Sequence, residues 1–159
     1  MTKTKTIENL QKALSMELTA MHQYQLHARV LDDWGMGILA NMMRQEMQEE
    51  LGHSDQFLER ILFLKGDAKL DLEKSPVRAH TLKEMFQTDL DDERGAIEFY
   101  TTASIQANED RDIGTRQLFE RIALDEEQHM NWLELQIDLL ERMGESAYIA
   151  KHMSTTLAE

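Results

Sequence analysis

The sequence predicts an all-α protein: a four-helix bundle with a long crossover between its second and third helices and a short fifth helix at the C-terminal end. Three observations carry this reading. Only one proline and seven glycines occur among 159 residues, so little interrupts a helix. Apolar residues recur in steps of three and four over four long stretches, the period of helices that bury one face. No alternation of apolar and polar residues runs far enough to make a strand. A single domain over residues 1–159 is expected at this length.

The first helix is expected over about residues 7–33, with Thr4 or Thr6 as its cap and Leu10, Leu14, Glu17, Met21 and Tyr24 along its buried seam. Trp34-Gly35-Met36-Gly37 breaks it. The second helix follows over about 37–64, with Leu39, Met43, Glu50, His53, Phe57 and Leu64 inward and Glu46 near the seam's edge. Lys65 to about His80, punctuated by Gly66, Asp67 and Ser75-Pro76, has the length of a connection that crosses the bundle end to end. Thr81, with Glu84 three residues later, caps a third helix over about 81–108. Its seam holds Leu82, Phe86, Asp89, Glu93, Ala96, Tyr100, Ala103 and Ala107. After a tight corner at Asp110–Gly114 the fourth helix spans about 114–143, with Phe119, Ile122, Glu126, His129, Leu133 and Leu140 inward and Gly144 as its stop. A short helix over 146–153 precedes a polar tail.

Composition narrows the function. The net charge of −13, from 30 acidic and 17 basic residues, argues against nucleic acid and favours cations as partners. The absence of cysteine excludes disulfides, thiolate zinc sites and iron–sulfur clusters. No signal-peptide pattern opens the chain and no apolar run suits a membrane span, so a cytoplasmic location is expected.

The informative residues are those that do not belong on an apolar seam. Glu50-Leu51-Gly52-His53 and Glu126-Glu127-Gln128-His129 each place a glutamate three positions before a histidine, on one helix face. Each is preceded by another mid-seam glutamate, and the interval from Glu17 to Glu50 equals that from Glu93 to Glu126. One pattern is therefore written twice, at a constant offset along the chain, with one contribution from each of four helices. Burying four carboxylates uncompensated would be prohibitive, and each would raise its neighbours' pKa. Two divalent cations balance the four charges and give every oxygen a partner. The imidazoles favour iron, manganese or zinc over calcium. A surface location for the acids and ordinary hydrogen-bonded histidines would suit any one of these residues, but not the doubled pattern on four seams. Tyr24, seven residues after Glu17, and Tyr100, seven after Glu93, repeat the same offset.

This constellation resembles the di-iron centre of ferritin-like bundles. The resemblance extends to Glu17-Leu-Thr-Ala-Met-His-Gln-Tyr-Gln-Leu-His-Ala-Arg29, the Asp33-Trp34-Gly35 corner, Phe57-Leu-Glu-Arg-Ile-Leu-Phe-Leu64 and Asp125-Glu-Glu-Gln-His-Met-Asn-Trp-Leu133, which are similar to bacterioferritin. It implies two iron ions per subunit, with Glu50 and Glu126 bridging, Glu17 and His53 completing one metal position, and Glu93 and His129 the other. It implies ferroxidase activity, in which Fe²⁺ is oxidised by dioxygen or hydrogen peroxide, and storage of the ferric product inside a hollow shell of 24 subunits. Tyr24 and Trp132 match redox-active positions of that family, and Phe57 stands where it often has tyrosine.

Two departures qualify the resemblance. The methionine that ligates haem in the family is replaced by Leu51, so haem is not expected from this chain alone, although a mixed shell with a haem-binding subunit fits. The family's inner-surface iron site maps to Gln45 and Glu49, of which only Glu49 has a side chain able to bind cations. A rubrerythrin-like di-iron peroxidase, a di-metal oxygenase and a DNA-protecting miniferritin are the rival readings. The remaining histidines, His22, His27, His80 and His152, are expected at the surface or an interface.

Overall fold

Backbone turns decide where the long helices stop. In the computed structural model, which describes residues 3–154, the elements are α1 (Thr4–Asp33), α2 (Gly37–Phe63), α3 (Leu82–Glu109), α4 (Ile113–Met143) and α5 (Glu145–His152). The first three helices end in the same way. A residue in the left-handed region follows, Gly35, Lys65 or Arg111. The next amide then bonds five residues back: Met36 to the Leu31 carbonyl, Gly66 to Ile61, and Asp112 to Ala107. Glycine takes that conformation without strain only at Gly35; Lys65 and Arg111 hold it at φ 63° and 54°.

Two N-termini carry side-chain caps. Thr81 accepts from the Glu84 amide at 3.1 Å, as its sequence spacing predicts. Asp112 accepts from the Thr115 amide at 3.1 Å and is itself held by Arg60 at 2.6 Å. The expected cap of α1 by Thr4 or Thr6 is corrected. That helix starts at Thr4 behind Lys3, with no capping side chain, and the Thr6 hydroxyl instead donates to Asp110 at 3.0 Å. The polar tail after α5 lies outside the described residues.

α1 pairs with α2 and α3 with α4 as two hairpins. The crossover, residues 64–81, sets how they combine. The Gln11 side chain bonds both the amide and carbonyl of Lys69, each at 2.8 Å. Thr19 accepts from the Glu73 amide at 2.8 Å. Gln23 bonds both backbone groups of Val77, each at 2.9 Å. Residues 11, 19 and 23 lie on one face of α1 and are met in the same order by 69, 73 and 77, so the crossover runs alongside α1. It thereby returns the chain to the end where α2 began, and α3 starts in the direction of α2. The polar groups of an extended segment, which has no ladder of its own, are satisfied by side chains.

The core has two apolar halves. One contains Leu31, Leu39, Met43, Phe86 and Tyr148. The other contains Leu10, Leu14, Ile61 and the ring trio Phe57, Tyr100 and Phe119, whose centroids lie 5.3 to 5.8 Å apart. Each such side chain contributes about 1.5–3 kcal/mol by leaving water. Between the halves lies a layer of buried Glu and His side chains, Glu17, Glu50, His53, Glu93, Glu126 and His129. The expectation that the other histidines lie at the surface or an interface fails for two of the four. His27 and His152 are buried, because each finds a partner inside: Asp89 at 2.9 Å for His27 and the Tyr148 carbonyl at 2.7 Å for His152.

Candidate metal centre

All six acids and histidines of the doubled pattern meet at mid-bundle, each no more than 4% exposed. Their helices pair antiparallel. Moving from Glu17 to Tyr24 along α1 is matched by moving from Tyr100 back to Glu93 along α3, since Tyr24 donates to Glu93 Oε1 at 2.7 Å and Tyr100 to Glu17 Oε1 at 2.5 Å. Across α2 and α4, His53 Nδ1 lies 2.9 Å from Glu126 and His129 Nδ1 lies 3.0 Å from Glu50. The constant offset between the two copies thus relates Tyr24 to Tyr100 as well as the acids and imidazoles.

The side chains sort into two overlapping quartets. Glu17, Glu50, His53 and Glu126 each offer one donor atom, all within 4.8 Å of one another, and so do Glu50, Glu93, Glu126 and His129. Glu50 and Glu126 belong to both. The imidazoles are aimed by carboxylates behind them. His53 Nε2 faces Asp125 at 3.0 Å, and His129 Nε2 faces Glu49 and, at 2.9 Å, Glu46. With Nε2 so committed, Nδ1 of both rings turns to the cluster, the arrangement that fixes a metal-ligating histidine. Glu49 and Asp125 are related by the same offset, each directly before a clustered glutamate, a signal present in the sequence but absent from the pattern read there. The offset fails at Glu46, whose counterpart is the buried Ile122, so only His129 is flanked by a second acid.

Electrostatics identify what this cluster suits. Burial, and then the charge of Glu17, push the Glu50 carboxyl well above its usual range. Burial and the surrounding glutamates do the same to Glu126. Burial opposes ionisation of Glu17 too, but the neighbouring Glu50 and His53 and the hydroxyl of Tyr100 hold its pKa low. Burial likewise works against charge on the imidazoles, yet the clustered carboxylates drive both His53 and His129 upward. Burial raises both phenols, so Tyr24 and Tyr100 keep their protons to donate.

Close approach is not the same as pairing. Glu17 Oε2, Glu50 Oε1, both oxygens of Glu126, and Nδ1 of His53 and His129 are buried without a well-formed hydrogen bond, although several lie within ion-pair distance. Buried acceptors aimed at one another at that cost are the donor set of bound cations. Carboxylate oxygens mixed with two imidazole nitrogens fit iron, manganese or zinc. The residues present therefore fit a pair of metal ions.

Four antiparallel helices with a full-length crossover, closed around a paired carboxylate–imidazole cluster, define a ferritin-like bundle. A family model described as the ferritin-like domain matches residues 7–143. The bacterioferritins of Rhodobacter capsulatus and Brucella melitensis are 39% and 40% identical over 145 residues, 91% of this chain and 89% of theirs. A bacterial ferritin of Synechocystis is 37% identical over 96% of this chain and 98% of its own. The solved R. capsulatus bacterioferritin, described with a metal-free dinuclear site and a heme iron in a crystallographic special position, superposes with a TM-score of 0.94 at 36% identity, covering 98% of both chains. Mycobacterium tuberculosis BfrA gives 0.91 at 33% identity over 94% of each. The chain belongs to the bacterioferritin family. No helix among the described residues is long and apolar enough to cross a membrane.

Proposed function

We propose that this chain is an iron-storage ferroxidase. Family membership supports iron storage, and the two quartets that share Glu50 and Glu126 are the observation that carries the ferroxidase reading. Ferrous ions are the substrate. In this reading Glu17 and His53 hold one ion, Glu93 and His129 the other, and Glu50 and Glu126 bridge them, so the four carboxylates offset the two divalent charges. Two ferrous ions supply the two electrons that reduce one hydrogen peroxide to two waters with two protons; dioxygen is the other oxidant of this class. The chain's own contribution is to hold the pair in fixed geometry, with Asp125 and Glu49 aiming the imidazoles and Tyr24 anchoring Glu93.

The ferric product is stored inside a hollow shell, for which we infer 24 copies and a cytoplasmic location. With leucine in place of the family's haem-ligating methionine, a shell mixed with a haem-binding subunit also fits. Rubrerythrin-type peroxidase activity is the competing reading, and retention of mineral separates the two. Anaerobic Fe²⁺ titration followed by oxidant, monitored by absorbance and sizing, tests the proposal. Saturation at about two ions per chain, then mineral growth within a large particle, is expected. Uptake without a retained mineral would refute storage. Glu50→Ala and His129→Ala should each abolish the fast oxidation phase and leave assembly intact.

A further inference from the structure

The cluster is served by two phenols, not one. Tyr24 lies in the apolar half built around Leu31 and Phe86, and Tyr100 in the half built around Phe57 and Phe119. Both are buried, and each donates its hydroxyl to the glutamate that belongs to only one quartet: Tyr24 to Glu93, Tyr100 to Glu17. The shared glutamates, Glu50 and Glu126, receive no phenol. In each unshared carboxylate Oε1 accepts a phenol, and in Glu17 the second oxygen, Oε2, is buried without a hydrogen bond and faces His53 at 3.7 Å. A carboxylate bound in this way has one oxygen committed and one left for a cation.

The two phenols differ in surroundings. A cavity of about 240 Å³ runs between α1 and α3 from the exposed Lys74 and Gly95 to the buried Glu17 and Tyr100. Tyr24 does not line it. The cavity reaches Glu17 and Glu93 as well as the shared Glu50 and Glu126, and of the two phenols that bind the cluster Tyr100 alone lines it.

We propose that Tyr100 is a second positioning residue of the centre, fixing Glu17 as a one-oxygen ligand for a divalent cation as Tyr24 fixes Glu93. The proposal rests on the metal-centre reading above. Removing a hydrogen bond behind a metal ligand costs about tenfold to a hundredfold in affinity.

Co²⁺ titration of the metal-free protein, followed by its visible absorption bands, tests it without iron turnover. The wild type should take up about two ions per chain of similar affinity. Tyr100→Phe keeps the ring packed on Phe57 and Phe119. It should leave one ion unchanged, weaken the other by about tenfold or more and alter that ion's bands alone. Tyr24→Phe should weaken one ion in the same way, and the double variant both. A wild type that binds fewer than two ions overturns the metal-centre reading itself. A wild type that binds two, with Tyr100→Phe titrating identically, overturns only the role of Tyr100. A crystal structure of the Zn²⁺-loaded wild type decides independently of any variant's folding. Tyr100 on Glu17, with the other oxygen on zinc, supports the proposal; Glu17 binding through both oxygens, or Tyr100 turned away, ends it.

Discussion

Gln23 on α1 holds both backbone groups of Val77, its amide nitrogen on the carbonyl and its amide oxygen on the N–H, each at 2.9 Å. One side chain thus replaces the strand partner that the crossover lacks. Its Nε2 also lies 3.5 Å from His27 Nδ1, so the same residue ties the crossover to the buried His27–Asp89 pair.

Gln23→Leu keeps roughly the volume of Gln23 and removes both bonds. It leaves polar atoms of a part-buried peptide without partners, at about 1–3 kcal/mol each where water cannot reach them. The variant should lose about 2–4 kcal/mol of stability in chemical denaturation. Hydrogen exchange at the Val77 amide should accelerate sharply while amides in the middle of α2 and α4 stay protected. Unchanged exchange at Val77 would show that the crossover is held by something else.

Glu50→Gln separates the demands of folding from those of metal binding. Burial and Glu17 raise the pKa of Glu50, so the stability linked to its protonated form is present at low pH and is lost as pH rises through that raised value. A neutral amide avoids the loss. The metal-free variant should therefore melt several degrees above the metal-free wild type near neutral pH, with the gap closing in acid; about 2–4 °C corresponds to each kcal/mol. Added Co²⁺ should raise the melting temperature of the wild type far more than that of the variant. A variant that melts lower without metal would mean that ionised Glu50 is stabilising in the empty cluster.

Much of this was readable in the residues, for a physical reason. Long helices impose a fixed period, so a glutamate or histidine on an apolar seam is conspicuous, and Glu17, Glu50, His53, Glu93, Glu126 and His129 stand out one by one. What stayed hidden depends on which helices face each other. Nothing local to His27 announces Asp89, which lies 62 residues away on α3. Gln11 and Gln23 look like ordinary surface residues until an extended segment is laid beside them. The backs of the histidines were missed although Glu49 and Asp125 repeat the offset, because an acid beside a ligand glutamate reads as a solvated neighbour; at 57% and 43% side-chain exposure both are partly that.

Leu51 is 45% exposed on the outer side of α2 and has no atom that ligates iron. Met47 is one turn earlier, which displaces a ligand by about 6 Å along the helix. Haem added to the purified protein should give no bis-methionine absorption spectrum. Appearance of that spectrum in the wild type would refute this, and recovery of this chain together with a methionine-bearing family subunit in one large particle would support the mixed shell.

Asp89 provides a pH-dependent test away from the cluster's ligands. It is 3% exposed, His27 Nε2 lies 2.9 Å from Oδ1, and Oδ2 is buried without a partner. Burial raises its pKa from 3.8 to about 6, against the pull of His27. A carboxyl raised in the fold adds stability that is complete below its unfolded pKa and is lost as pH climbs through the folded value. Asp89→Asn preserves the shape and an acceptor for His27 but cannot ionise. The wild type should therefore lose about 2.4 kcal/mol relative to the variant between pH 4 and pH 7, the part of the pKa shift that falls in that window converted at about 1.36 kcal/mol per unit. Denaturation of both proteins without metal, at matched concentration over that range, measures the difference directly, and the contribution of the shared cluster largely cancels. A difference that does not change with pH would mean that Asp89 titrates in the fold much as it does in the unfolded chain, with His27 offsetting its burial in full.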